Sequence, residues 1–153
     1  MIKMITAAAF LLFIASCKNT ASVPSIGRDP IQGVWKLVTG TLIEKKDTVV
    51  TDYLKGKSFV KIIYDGHFSF LGHDLNHGKD SAAFYSSGGG TYSLTDSSYT
   101  EHLIYCNARN WEGNDFRFSY SVNKDTLVLT GIERIDSIGV NRINIEKYTR
   151  LRK

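Results

Sequence analysis

Gly33-Val34-Trp35-Lys36-Leu37-Val38-Thr39 is the stretch on which the fold turns. It opens on glycine, is rich in β-branched and aromatic residues and holds one of the two tryptophans. That composition suits a pleated, half-buried strand. From here to the C-terminus the pattern repeats as short runs of Val, Ile, Thr, Tyr and Phe divided by turn residues. Residues 41–50 hold a second run, or a continuation of the first bent at Gly40. Residues 57–64 end in Asp65-Gly66, a hairpin signal, with 67–71 as the return strand. Residues 72–90 read as a long polar loop closing on Gly88-Gly89-Gly90. Residues 91–94 and 99–105 flank a turn at Thr95-Asp96-Ser97, and 107–114 form another loop. Residues 116–122 turn through Asn123-Lys124-Asp125 into 126–130. Ser137-Ile138-Gly139 allows a turn before a last strand over 141–151. No stretch shows a 3.6-residue period with caps. The two prolines, Pro24 and Pro30, lie upstream of the first run, so no strand residue lacks its ladder donor. The expectation is an all-β fold: a single antiparallel up-and-down β-barrel of about 8–10 strands, since closure removes exposed edges. A sandwich is the main rival.

Gly33-Val34-Trp35 resembles the Gly-x-Trp signature of the lipocalin and fatty-acid-binding superfamily. The resemblance implies that Gly33 lets the chain bend as it enters the barrel and that Trp35 plugs the closed end. It also implies that an arginine of the last strand, Arg150 before Arg152, lies over the Trp35 ring. The pattern covers roughly residues 32–151 and is most similar to small lipocalin-like (calycin) domains of bacterial lipoproteins. Those end in Glu-x-Tyr-x-Arg, matched by Glu146, Tyr148 and Arg150. They also carry Gly-x-Tyr followed by Tyr-x-Glu, matched by Gly90, Tyr92, Tyr99 and Glu101. One departure is Thr51-Asp52-Tyr53, which lies early in this chain where animal lipocalins carry Thr-Asp-Tyr late. No specific ligand is therefore implied.

Upstream of the barrel, Lys3 supplies a positive start, and residues 5–15 are apolar but too few to span a bilayer. Ile14-Ala15-Ser16-Cys17 resembles a bacterial lipobox, cut before Cys17, whose sulfur is acylated. An ordinary secretory signal ending in cysteine is the alternative. The expected organisation is a signal peptide over 1–16, a lipidated cysteine and flexible tether over 17–30, and a barrel domain over 31–153. With Cys17 acylated, Cys106, the other of two cysteines, lacks a disulfide partner and reads as a small buried hydrophobe. Lys18 and a tether without an acidic run show no resemblance to signals for inner-membrane retention or surface export, which leaves the outer membrane as the default. The expected location is the bacterial cell envelope, anchored to the membrane by lipid and facing the periplasm. Net charge is only +4, and no basic cluster exceeds Arg150-Leu151-Arg152-Lys153. Nucleic acid is thus excluded as an expected partner.

Catalytic motifs are missing from the sequence: there is no nucleophile elbow, phosphate loop or His-Glu-x-x-His. Gly88-Gly89-Gly90 opens no helix. An enzyme is not expected. His67, His73, Asp74 and His77 fall within eleven positions, but a Gly-rich loop does not fix ligand geometry, so neither metal nor cofactor is expected. Alternation puts Glu146, Tyr148 and Arg150 on one strand face, and the family pattern turns that face inward. Tyr99, Glu101, Leu103 and Tyr105 share one face of their strand; Thr100, His102, Ile104 and Cys106 share the other. The residues leave open which of those two faces is inside. The candidate ligand-binding set is Tyr99, Glu101, His102, Glu146, Tyr148 and Arg150, and the barrel signature is Gly33, Trp35 and Arg150. A buried arginine needs a carboxylate, with Glu146 and Glu101 as candidates. Arg150 then serves either as a strut or to capture an anionic head group.

The expected function is that of a lipid-anchored barrel binding a small, partly apolar ligand, either hydrophobic or anionic and amphipathic. The alternative is an interaction or inhibitor module with a filled barrel. Cavity volume separates the two. For the anchor, Cys17→Ser is expected to abolish palmitate labelling and leave an uncleaved or soluble species; unchanged labelling would contradict it.

Overall fold

The computed structural model describes residues 29–152. Nine strands follow one another: β1 (Gly33–Glu44), β2 (Asp47–Asp52), β3 (Lys57–Tyr64), β4 (His67–Asp74), β5 (Tyr85–Leu94), β6 (Ser98–Cys106), β7 (Asp115–Asn123), β8 (Thr126–Ile135) and β9 (Val140–Arg150). Short 3-10 turns, Arg109–Trp111 and Asp136–Ile138, precede β7 and β9. Neighbours pair antiparallel, and β9 returns to β1. The result is a closed eight-strand up-and-down barrel with β2 as one extra strand. Among the described residues no helix is long and apolar enough to cross a membrane.

β1 organises the closure. One of its edges pairs with β9 from Trp35 to Ile43, across a register shift between Leu37 and Thr39. The other edge pairs with β3 over Gly33–Lys36 and then with β2 over Thr39–Glu44. The stretch 41–50 is therefore the end of β1, a turn at Lys45-Lys46 and the start of β2. Asp65-Gly66 forms the two-residue turn between Tyr64 and His67, as its sequence signalled.

The expected loop over 72–90 is corrected. β4 continues to Asp74, the loop spans only 75–84, and Gly88-Gly89-Gly90 lies inside β5. Glycine is depleted in strands, which is why the run reads as a loop. Here it permits a close approach: a Cβ on Gly90 would overlap the His102 carbonyl of β6, where the β5–β6 register shifts.

The interior has two unlike ends. At the closed end Ile31, Trp35, Ile63, Leu127, Leu129 and Tyr148 are fully buried. The incoming chain folds beneath them: Trp35 Nε1 donates to the Ile31 carbonyl at 2.7 Å, and the Tyr92 hydroxyl donates to Asp29 at 2.6 Å. Arg150 lies over the Trp35 ring, its guanidinium carbon 4.0 Å from the centroid. It donates to the backbone carbonyls of Gln32 (2.6 Å) and Pro30 (3.2 Å). Gly33, at φ 149°, leaves room for that guanidinium; a Cβ there would collide with Arg150 Nη1. Trp35→Ala is expected to cost about 3–5 kcal/mol in urea unfolding, the range for emptying a buried aromatic site. A loss below about 1 kcal/mol would show that the plug does not hold this end.

Candidate functional site

Strand alternation in β3 sends Phe59, Lys61 and Ile63 to the interior, where all three are buried. An ammonium there must be paired. Lys61 Nζ donates to Glu101 Oε1 of β6 at 2.7 Å and to Glu146 Oε2 of β9 at 3.2 Å. Each carboxylate also receives a tyrosine hydroxyl from its own strand. Tyr99 donates to the same Glu101 oxygen at 2.9 Å, and Tyr148 to the same Glu146 oxygen at 2.7 Å. Lys61 also lies 5.5 Å from the Tyr148 ring centroid. The cluster joins strands from three parts of the barrel in one polar layer.

Burial and charge compete in this layer. Burial lowers the basicity of Lys61, but Glu101 and Glu146 outweigh it and hold its pKa above that of ordinary lysine. Burial pushes Glu101 above its usual 4.5 despite Lys61, and the Glu146 charge adds to the rise. Burial and the adjoining carboxylates also raise Tyr99 and Tyr148, which remain hydroxyl donors.

Above this layer the barrel is not packed. A cavity of about 370 Å³ is walled by Phe59, Phe70, Phe84, Leu103 and Phe116, among others, with Lys61, Glu101 and Glu146 also on its lining. Near its mouth Arg142 Nε donates to Glu133 at 2.6 Å and the guanidinium lies 5.2 Å from the Trp111 ring centroid. Asn144 donates to the other Glu133 oxygen at 2.7 Å. The 75–84 loop that brings Phe84 into the wall is tied to Asp74, whose carboxylate accepts the N–H groups of Asn76, Gly78 and Phe84. Those bonds hold the Asp74 pKa below its ordinary value.

Of the six candidate ligand residues, Glu101 and Glu146 reach the cavity. Tyr99 and Tyr148 lie outside the lining and brace those carboxylates. Two expectations need correction. His102 alternates to the barrel exterior, where Nδ1 is 2.8 Å from Asp115. Arg150 meets neither Glu101 nor Glu146: it lies four residues beyond Glu146, about 13 Å along an extended strand, and its ion-pair carboxylate is Asp125 at 4.0 Å. Its place is the closed end, as a strut. Cys106 is half-buried at the cavity wall instead of fully buried. Cys17 lies outside the described residues. His67 and His73 pair through Nδ1 with the carbonyls of Asp65 and Asp74. Lys61 is the residue that sequence reasoning missed; its place between Phe59 and Ile63 at period two was the available signal.

Compared with protein-family models and with curated proteins, the chain matches none. The barrel itself is consistent with the lipocalin-like fold that Gly33 and Trp35 implied.

Removing Lys61 leaves two facing carboxylates without their cation. Lys61→Met is expected to cost about 3–5 kcal/mol near neutral pH, the penalty for breaking a buried ion pair from one side. The variant raises the folded-state pKa of Glu101 further above its unfolded value. Its stability is therefore fullest below about pH 4.5 and is lost as pH rises through the folded-state value. Urea unfolding of the variant across pH checks this; a deficit that grows on acidification would contradict it.

Proposed function

We propose that the chain is a lipid-anchored lipoprotein of the bacterial cell envelope whose barrel binds a small, partly apolar ligand. The observation that carries this is the open cavity of about 370 Å³ in an otherwise packed barrel. Ligand sites are commonly about 300–1,000 Å³, mostly apolar, with a few placed polar groups. Aromatic walls over a charged floor fit that description.

The floor adds weight. Buried ion pairs are poor stabilisers, and well-packed apolar residues in their place often leave a protein more stable. Charged side chains at the base of a cavity are thus better explained by what they meet than by what they hold. We read the site as one of binding and not of turnover, because the sequence carries no nucleophile, phosphate-loop or metal motif. The anchor rests on the lipobox-like Ile14-Ala15-Ser16-Cys17, and the outer-membrane, periplasm-facing location on Lys18 and the tether. The interaction-module reading has one feature in its favour: among the described residues β2 pairs only with β1, and its Val49 and Val50 are exposed.

Native mass spectrometry of the chain purified from its own cell envelope is expected to show a bound small molecule. Leu42→Trp, which places bulk in the cavity wall, is expected to remove that mass without unfolding the barrel. A wild-type chain always free of added mass, in envelope extracts and with ligand libraries alike, would contradict the binding reading.

A further inference from the structure

We propose that the cavity selects a small organic monocation, an amine on an aromatic or other apolar body, and seats its ammonium between Glu101 and Glu146. The inference rests on the ligand-binding reading above and goes beyond it by assigning the charge and size of the ligand.

Among the described residues, five charged side chains line the cavity: the cations Lys61 and Arg142 and the carboxylates Glu101, Glu133 and Glu146. Arg142 and Glu133 form a close pair at the mouth, 2.6 Å apart. That leaves one ammonium facing two carboxylates at the floor. The hydrogen bonds show where the surplus lies. Glu101 uses Oε1 for both Lys61 and Tyr99, and Glu146 uses Oε2 for both Lys61 and Tyr148. Among the described residues, Oε2 of Glu101 and Oε1 of Glu146 have no hydrogen-bond partner in the protein.

These free oxygens are not sealed in. No buried side-chain oxygen or nitrogen among the described residues is enclosed without a partner. Glu101 is only 6% exposed and lines the cavity, so its free oxygen opens into that space. A desolvated carboxylate with an unused oxygen is costly. A second ammonium donating to Glu101 Oε2 and Glu146 Oε1 would mirror Lys61 and close a neutral arrangement of two cations and two carboxylates. An anionic head group would meet the same two carboxylates with the wrong sign, so the floor disfavours the anionic amphiphile expected from sequence.

The walls fix the rest of the ligand. Lys57, at the rim, already lies over Phe84 and Tyr53, at 5.1 and 5.9 Å from their centroids. The surfaces left for an apolar body are those of Phe59, Phe70, Leu103 and Phe116, which line the space above the floor. The cavity volume of about 370 Å³ lies at the lower end of the roughly 300–1,000 Å³ common for ligand sites, so the body is a small one. An arylalkylamine is a ligand of this kind.

The test is calorimetric titration of the full chain in lipid nanodiscs, with empty discs as the blank, at about pH 8, where a free alkylamine is protonated. Tryptamine, 3-methylindole and indole-3-acetate share a ring and differ in charge. Tryptamine is expected to bind about tenfold or more tighter than 3-methylindole, the scale of an added charge-assisted contact, with indole-3-acetate weakest. In Glu146→Gln the tryptamine preference is expected to shrink about tenfold. Equal or tighter binding of 3-methylindole or indole-3-acetate by the wild-type chain would overturn the charge assignment and leave the ligand-binding reading standing. A preference unchanged in a folded Glu146→Gln would overturn the placement of the ammonium. Binding of none of the three would overturn this inference, and the native mass measurement then decides the broader reading.

Discussion

A lysine ammonium inside a β-barrel sets the terms for the rest of this interior. Lys61 stands between Phe59, which faces the cavity, and Ile63, which belongs to the packed end. Its charge cannot stay there alone. Glu101 and Glu146 arrive from β6 and β9 to meet it, and Tyr99 and Tyr148 arrive with them, because residues two apart share a strand face. The cluster separates two environments. On one side the barrel is filled by Trp35, Leu127, Leu129 and Ile63; on the other it stays open. Two carboxylates for one cation also give the open side a sign.

The closed end shows how the same chain handles a second cation without using a carboxylate inside. Arg150 lies over the Trp35 ring and donates to the carbonyls of Gln32 and Pro30. Those carbonyls belong to the segment entering β1, so the guanidinium fastens the start of the barrel to its last strand. The planar fork of arginine suits stacking and two separate acceptors at once, which a lysine cannot reproduce. Arg150 is in this way part of the architecture, while Lys61 is part of the cavity.

Much of the fold was legible because strand patterns and turn residues are local signals. The β3–β4 hairpin, the turn before β8 and the last strand follow from Asp65-Gly66, Asn123-Lys124-Asp125 and the alternation through Tyr148. The Gly-x-Trp stretch placed Trp35 and Arg150 together. What stayed hidden depended on distant chain segments. Gly88-Gly89-Gly90 is strand only because β4 and β6 press against it from both sides. Glu101 and Glu146 were visible as inward candidates, but their partner was not, since Lys61 lies 40 and 85 residues away from them in sequence. His102 was undecidable until the inner face of β6 was known.

The central claim is that Glu101 is a desolvated carboxylate at the floor of an open, ligand-sized cavity. Carbon-13 NMR of the glutamate side-chain carboxyls through an acid titration tests it most directly. The account predicts that Glu101 titrates above the ordinary glutamate value of 4.5, apart from the surface glutamates. A Glu101 that titrates with the surface groups, or below them, would mean that the floor is hydrated or fully satisfied by Lys61, and would contradict the account.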